Sequence, residues 1–121
     1  MSQHFSTRDG SAIVADLVSV IVANREYLSE VDGAIGDGDH GINMAKGFAH
    51  CGRTIEGRQL SLAEALDELT LSLMEGIGGS MGPLYGSLFI GMANEVRGSE
   101  DIDAATFAHL LRGGLTSLQD I

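Results

Sequence analysis

Basic residues are scarce in this chain: 7 Lys and Arg stand against 17 Asp and Glu, a formal charge of −10 with histidines neutral. Nucleic acid and anionic lipid both require a basic face, so neither nucleic acid nor a membrane is expected as a partner. Cysteine is almost absent. The single Cys51 excludes an intrachain disulfide and a cysteine-rich zinc site. Tryptophan is missing, and proline occurs once, at Pro83. No basic region followed by an apolar run opens the chain. The longest apolar stretch near the start, residues 12–23, contains Asp16 and is too short to span a bilayer. A cytoplasmic location is the expectation.

Apolar residues are plentiful, at 44% of the 121 positions, and the acidic ones are spread along the chain. That composition folds, and the length suits one domain, residues 1–121. Residues 11–28 carry Ile13, Leu17, Val20, Ile21, Asn24 and Leu28 at three-and-four spacing, which predicts an amphipathic helix. From Gly41, the pattern Ile42, Ala45, Phe48, Ala49 predicts a second, with Asp39 or His40 near its start. Ser61 and Glu64 form a capping-box pair ahead of Leu62, Ala65, Leu66, Leu69 and Leu73, a third helix running to about Glu75. Pro83 suits the first turn of a fourth, containing Leu84, Leu88 and Met92. Residues 102–118 predict a fifth, with Phe107, Leu110, Leu111, Leu115 and Leu118 on one broad face and Gly113-Gly114 as a place to kink. No span alternates as a strand would. The expected fold class is all-α, an antiparallel bundle of amphipathic helices.

The chemistry concentrates in Asp32-Gly33-Ala34-Ile35-Gly36-Asp37-Gly38-Asp39, followed by His40 and Gly41. Three carboxylates this close resist joint ionisation unless a cation intervenes. Glycine belongs where backbone turns sharply or approaches a ligand. Oxygen donors on a tight turn suit Mg²⁺ or Ca²⁺, but an EF-hand is a poor fit because the twelfth position from Asp32 is Asn43. Helix capping by Asp32 and Asp39 is the plainer alternative, and explains neither the crowding nor the glycines. His40 suits a hydrogen bond to carboxylate or phosphate, and Asn43 could donate to a nucleotide or a metal-bound water.

A second constellation, Gly78-Gly79-Ser80-Met81-Gly82, lies between two predicted helices. Backbone amides near a helix N-terminus can cradle phosphate, although such a sequence also makes a plain interhelical turn. No Walker lysine follows it, so it is not a P-loop. Cys51 reads as a buried small residue. His50 and His109 lack acidic partners at helix spacing, and nothing fixes Lys46, Arg53 or Arg58 near a phosphate.

Residues 28–48, LSEVDGAIGDGDHGINMAKGF, and 78–86, GGSMGPLYG, together resemble the nucleotide-binding L subunit, or domain, of dihydroxyacetone kinase. The resemblance covers essentially the whole chain but about the N-terminal half of a family member. It implies that Asp32, Asp37 and Asp39 hold two Mg²⁺ ions, which bind the phosphates of ADP or ATP. It implies further that His40 and Asn43 line the nucleotide site and that Gly79 and Ser80 contact phosphate. Met81 receives no contact, and no residue is assigned as catalytic. The implied fold is an eight-helix closed barrel, of which this chain would supply about five helices. The implied function is a phosphoryl-transfer kinase subunit acting on a ketone held by a K subunit. Its phosphate comes from ATP, or through bound ADP recharged by a phosphoprotein of the sugar phosphotransferase system. Five helices would leave apolar faces uncovered, so a homo-oligomer or a complementing C-terminal chain is also expected. The competing expectation is a helical scaffold or interaction module without catalytic activity.

Overall fold

Helices form where the apolar spacing demands them. The computed structural model describes residues 4–34, 36, 38–77 and 81–121. In chain order these form β1 (His4–Ser6), a 3₁₀ turn (Thr7–Asp9), α1 (Gly10–Ala23), α2 (Arg25–Gly33), α3 (His40–Ile55), α4 (Leu62–Gly76), α5 (Met81–Val96), β2 (Asp101–Asp103) and α6 (Ala104–Gln119). The all-α bundle is as expected. The helix count is not: six α-helices are found instead of about five, and an eight-helix closed barrel is not formed by the described residues.

The extra helix comes from Asn24, which divides the predicted helix over residues 11–28. Its N–H donates to both the Val20 and Ile21 carbonyls, and its side-chain amide also takes the Val20 carbonyl, at 2.8 Å. The turn tightens there, yet the Asn24 carbonyl accepts the Leu28 N–H at once and α2 begins. A second departure is β1 pairing antiparallel with β2, Phe5 opposite Ile102. Three residues per strand are too few for alternation to register in a sequence.

The third departure concerns Gly113-Gly114. α6 runs through them unbroken. A Cβ on Gly114 would lie 2.7 Å from Leu88 Cδ1, and one on Gly91 2.6 Å from Ser117 Cβ. These glycines let α5 and α6 cross closely; they do not kink a helix.

Consecutive helices from α2 to α6 run antiparallel, while α1 packs parallel to α4, with Gly10 at its start against Ser61 and Leu62. Along α3 and α4, Gly47 faces Ile77 while His50 reaches Ser72. Along α4 and α5, Gly86 faces Met74 while Arg97 bridges to Asp67. Between them lies a core including Val14, Phe48, Cys51, Leu69, Leu73, Ala93 and Val96, with Phe48 and Phe89 edge to face. Each fully buried Leu or Phe side chain contributes roughly 1.5–3 kcal/mol. α6 turns Leu110 inward at 2% exposure but leaves Phe107, Leu111 and Leu115 at 45–53%. That uncovered stripe agrees with the expectation for the last helix.

The antiparallel order has one consequence for function. The C-termini of α2 and α4 and the N-termini of α3 and α5 gather at the same end of the bundle.

Candidate functional site

Asp32 sits in the last turn of α2. A carboxylate there faces the negative end of the helix dipole, a placement that does not favour the helix. What holds it is the turn itself: Asp32 Oδ2 accepts the Gly38 N–H at 3.0 Å, and the Asp32 carbonyl accepts the Gly36 N–H. Two glycines make this possible. Gly38 has φ +80, and a Cβ on Gly36 would sit 2.5 Å from Asp32 Oδ1. The glycines threaded through the acidic run therefore serve the close approach of backbone to carboxylate.

Asp39 occupies the N-cap position of α3 but makes no side-chain capping hydrogen bond. Its carbonyl accepts the Asn43 N–H at 3.0 Å, so Asn43 lies one turn along the same helix. His40 is the first residue of α3. Gly41 behind it is buried, and a Cβ there would collide with the Arg25 carbonyl oxygen and lie 2.6 Å from Ser29 Oγ. The head of α3 is thus pressed onto α2.

α5 enters the same region. A Cβ on Gly82 would come within 2.8 Å of the Leu73 carbonyl oxygen and 2.9 Å of the Ile77 one. One turn further, Tyr85 packs edge to face against His40, ring centroids 6.3 Å apart and planes at 64°. A cavity of about 360 Å³ beside Asp32 and His40 is walled by Tyr27, Leu28 and Val31.

Of the sequence-predicted residues, Asp32, Asp39, His40 and Asn43 therefore share the turn and the head of α3. Asp37, Gly79 and Ser80 lie outside the described residues. Among the described residues, no three His, Cys, Asp or Glu side chains form a metal-holding group. The donors that are described, the carboxylates of Asp32 and Asp39, are hard oxygens of the type Mg²⁺ takes, and the turn leaves Asp32 free of a covering side chain at Gly36.

Other candidates fall away on geometry. Burial, then the charge of Glu68, pushes the Cys51 thiol up to about 11 against an opposing hydrogen bond from Ser72. A thiol so protonated is no nucleophile. His50 is engaged with Ser72 at 3.1 Å. Arg58 lies at the far end of the bundle, 3.6 Å from Glu68. Sequence reasoning missed Tyr85, because an aromatic residue at helical spacing reads as core.

A helix bundle with a carboxylate-bearing glycine turn beside two helix N-termini is suited to a phosphorylated ligand. The DAK2 domain matches residues 34–121, and the chain belongs to that family. It is 38% identical over 100 residues to the PTS-dependent dihydroxyacetone kinase, ADP-binding subunit DhaL, of Lactococcus lactis, covering 82% of this chain and 50% of that protein. It is 30% identical over 90 residues to the PEP-dependent dihydroxyacetone kinase, ADP-binding subunit DhaL, of Escherichia coli, covering 74% and 43%. It is 33% identical over 111 residues to the mouse Triokinase/FMN cyclase, covering 89% of this chain and 19% of that protein. The chain spans about half the length of the bacterial relatives. Among the described residues, no helix is long and apolar enough to cross a membrane.

Proposed function

We propose that this chain is the Mg-nucleotide-binding part of a dihydroxyacetone-type kinase, corresponding to the N-terminal half of its nucleotide-binding subunit. The observation that carries this reading is the contact of His40 with Tyr85. It sets the head of α3, directly after the acidic turn, beside the first turns of α5, directly after Gly78-Gly79-Ser80. Two helix N-termini at one end favour phosphate, while the carboxylates call for a cation between them and it.

In this reading Asp32, Asp37 and Asp39 hold Mg²⁺, which when bound neutralises phosphate charge. His40 and Asn43 face the nucleotide, and Gly79 and Ser80 hold phosphate oxygens by amide and hydroxyl. The nucleotide is ADP or ATP. A ketone-binding K subunit supplies the acceptor, and a phosphotransferase-system phosphoprotein is the alternative phosphate source. The names of the bacterial relatives support this division of labour. The apolar stripe of α6 is covered by another chain or a second copy, in a cytoplasmic complex.

Titration of ADP with and without Mg²⁺ tests the reading: affinity should depend strongly on the metal, and equal affinity in both conditions overturns it. A dihydroxyacetone phosphorylation assay on this chain alone should be silent and should gain turnover when the K subunit and the C-terminal half of the nucleotide-binding subunit are added. The exposed Phe107, Leu111 and Leu115 favour one competitor, a helical interaction module. A folded sample whose melting temperature does not move with millimolar Mg-ADP or Mg-ATP decides for that alternative.

A further inference from the structure

We propose that Tyr85 is a positioning residue of this site, fixing His40 at the head of α3 through the edge-to-face packing of the two rings. The inference rests on the nucleotide reading above and adds to it a residue on a different helix. Three observations carry it. Tyr85 is half-buried and packs against the core cluster, so its ring is anchored from behind. A long helical side chain leans toward the N-terminus of its helix, which directs Tyr85 from one turn inside α5 toward the end where α5 begins. There it meets His40 with centroids 6.3 Å apart and planes at 64°, the T-shaped arrangement that aromatic quadrupoles favour.

The backbone of α3 is already set on this side. Gly41 is pressed onto the Arg25 carbonyl, so the head of the helix cannot slide toward α2. What remains adjustable is the ring of His40, and Tyr85 restricts it. The same contact links the head of α3, next to the acidic turn, to α5. Tyr85 acts through His40 and is not itself assigned a contact with the nucleotide.

The test uses the full chain with Tyr85→Leu, Tyr85→Phe, His40→Ala and the Tyr85→Leu/His40→Ala pair. Mg-ADP affinity should fall roughly 3- to 10-fold in Tyr85→Leu, the range such ring pairs span. It should stay within about twofold in Tyr85→Phe, which keeps the ring. The loss should vanish when His40 is already alanine, as coupling through one contact requires. The ring C–H signals of His40 should move in Tyr85→Leu and hold in Tyr85→Phe, a signature that general loosening of the bundle would not give. Unchanged affinity in Tyr85→Leu, or the same loss with and without His40, overturns the inference. So does the absence of a cross-ring nuclear Overhauser effect in the unsubstituted protein, a measurement that needs no variant to fold. Failure of the unsubstituted chain to bind Mg-ADP removes the nucleotide reading itself, an outcome distinct from binding that ignores Tyr85.

Discussion

Side-chain hydrogen bonds close the backbone at the end of the bundle where α3 gives way to α4, around Gly10 pressed onto Ser61 and Leu62 and Gly57 and Gly98 at positive φ, whereas at the end where α2 gives way to α3 glycines shape the backbone around a carboxylate. At the first, Ser61 Oγ accepts the Glu64 N–H at 3.2 Å while Glu64 Oε1 accepts the Ser61 N–H at 3.1 Å. Ser11 Oγ donates to the Arg58 carbonyl and accepts the Leu60 N–H. Asp103 caps α6 through the Thr106 N–H, and Thr7 ties the chain start to the carbonyls of Ser99 and Glu100. Arg97 pairs with both carboxylate oxygens of Asp67. At the second end, Gly36, Gly38, Gly41 and Gly82 stand where a side chain would strike backbone or Asp32, or would need a positive φ. A carboxylate there occupies the wrong end of α2 for helix stability. One end is arranged for closure; the other, in the function proposed above, for access of backbone and carboxylate to a ligand.

The sharpest way to break this contrast is Gly41→Ala. The added methyl meets the Arg25 carbonyl, so α3 must shift from α2. A stability loss of about 3 kcal/mol in urea denaturation is expected, at the upper end for overpacking, together with loss of Mg-ADP binding. A stable Gly41→Ala protein would mean that the head of α3 is not clamped.

Asp32→Asn separates stability from function. Removing charge at the negative end of α2 favours the helix, while an amide oxygen is a weaker acceptor for the Gly38 N–H. These effects oppose each other, so stability should change by less than about 1 kcal/mol. Mg-ADP affinity should nevertheless fall at least about tenfold. Calorimetric titration and urea melts on one preparation check both. A loss of stability without loss of affinity would make Asp32 a structural residue after all.

Ser61→Ala probes the opposite end. Loss of the cap should cost about 1 kcal/mol and leave Mg-ADP affinity unchanged.

How much of this could be read from the chain follows the same division. The capping box announces itself because two polar residues three apart precede an apolar run, and Ser61–Glu64 fits that pattern fully. The helices over residues 61–75 and from His40 were legible because their apolar stripes are long. Asn24 was not, since a single polar residue inside an apolar pattern does not say whether its amide will point to solvent or take the Val20 carbonyl. The strands failed because their pairing joins residues nearly a hundred positions apart. Gly113-Gly114 has a local meaning, a kink, and a tertiary one, a close crossing; the partner Gly91 that decides between them lies on another helix. At the candidate site, the crowding of charge on glycine was readable, but the neighbour of His40 was not. Tyr85 stands 45 positions away, and only antiparallel packing of α3, α4 and α5 brings it there.

The smallest effect expected is also confined to the closed end, and it concerns pH. The Ser61 amide, then its hydroxyl, holds the Glu64 carboxyl below the usual carboxylate range. The Thr106 amide, then its hydroxyl, does the same for Asp103. A carboxyl whose folded-state value is lowered contributes its full stability above the unfolded value and loses it as pH falls through the folded one. Both groups are fully exposed to solvent, so the contribution is screened. The stability advantage of the unsubstituted chain over Glu64→Gln should accordingly hold at neutral pH and shrink below about pH 4. Urea midpoints measured from neutral to acidic pH decide it. A gap that stays constant on acidification would show that the cap acts by shape alone, and the contrast between the two ends would then have no electrostatic part at the closed one.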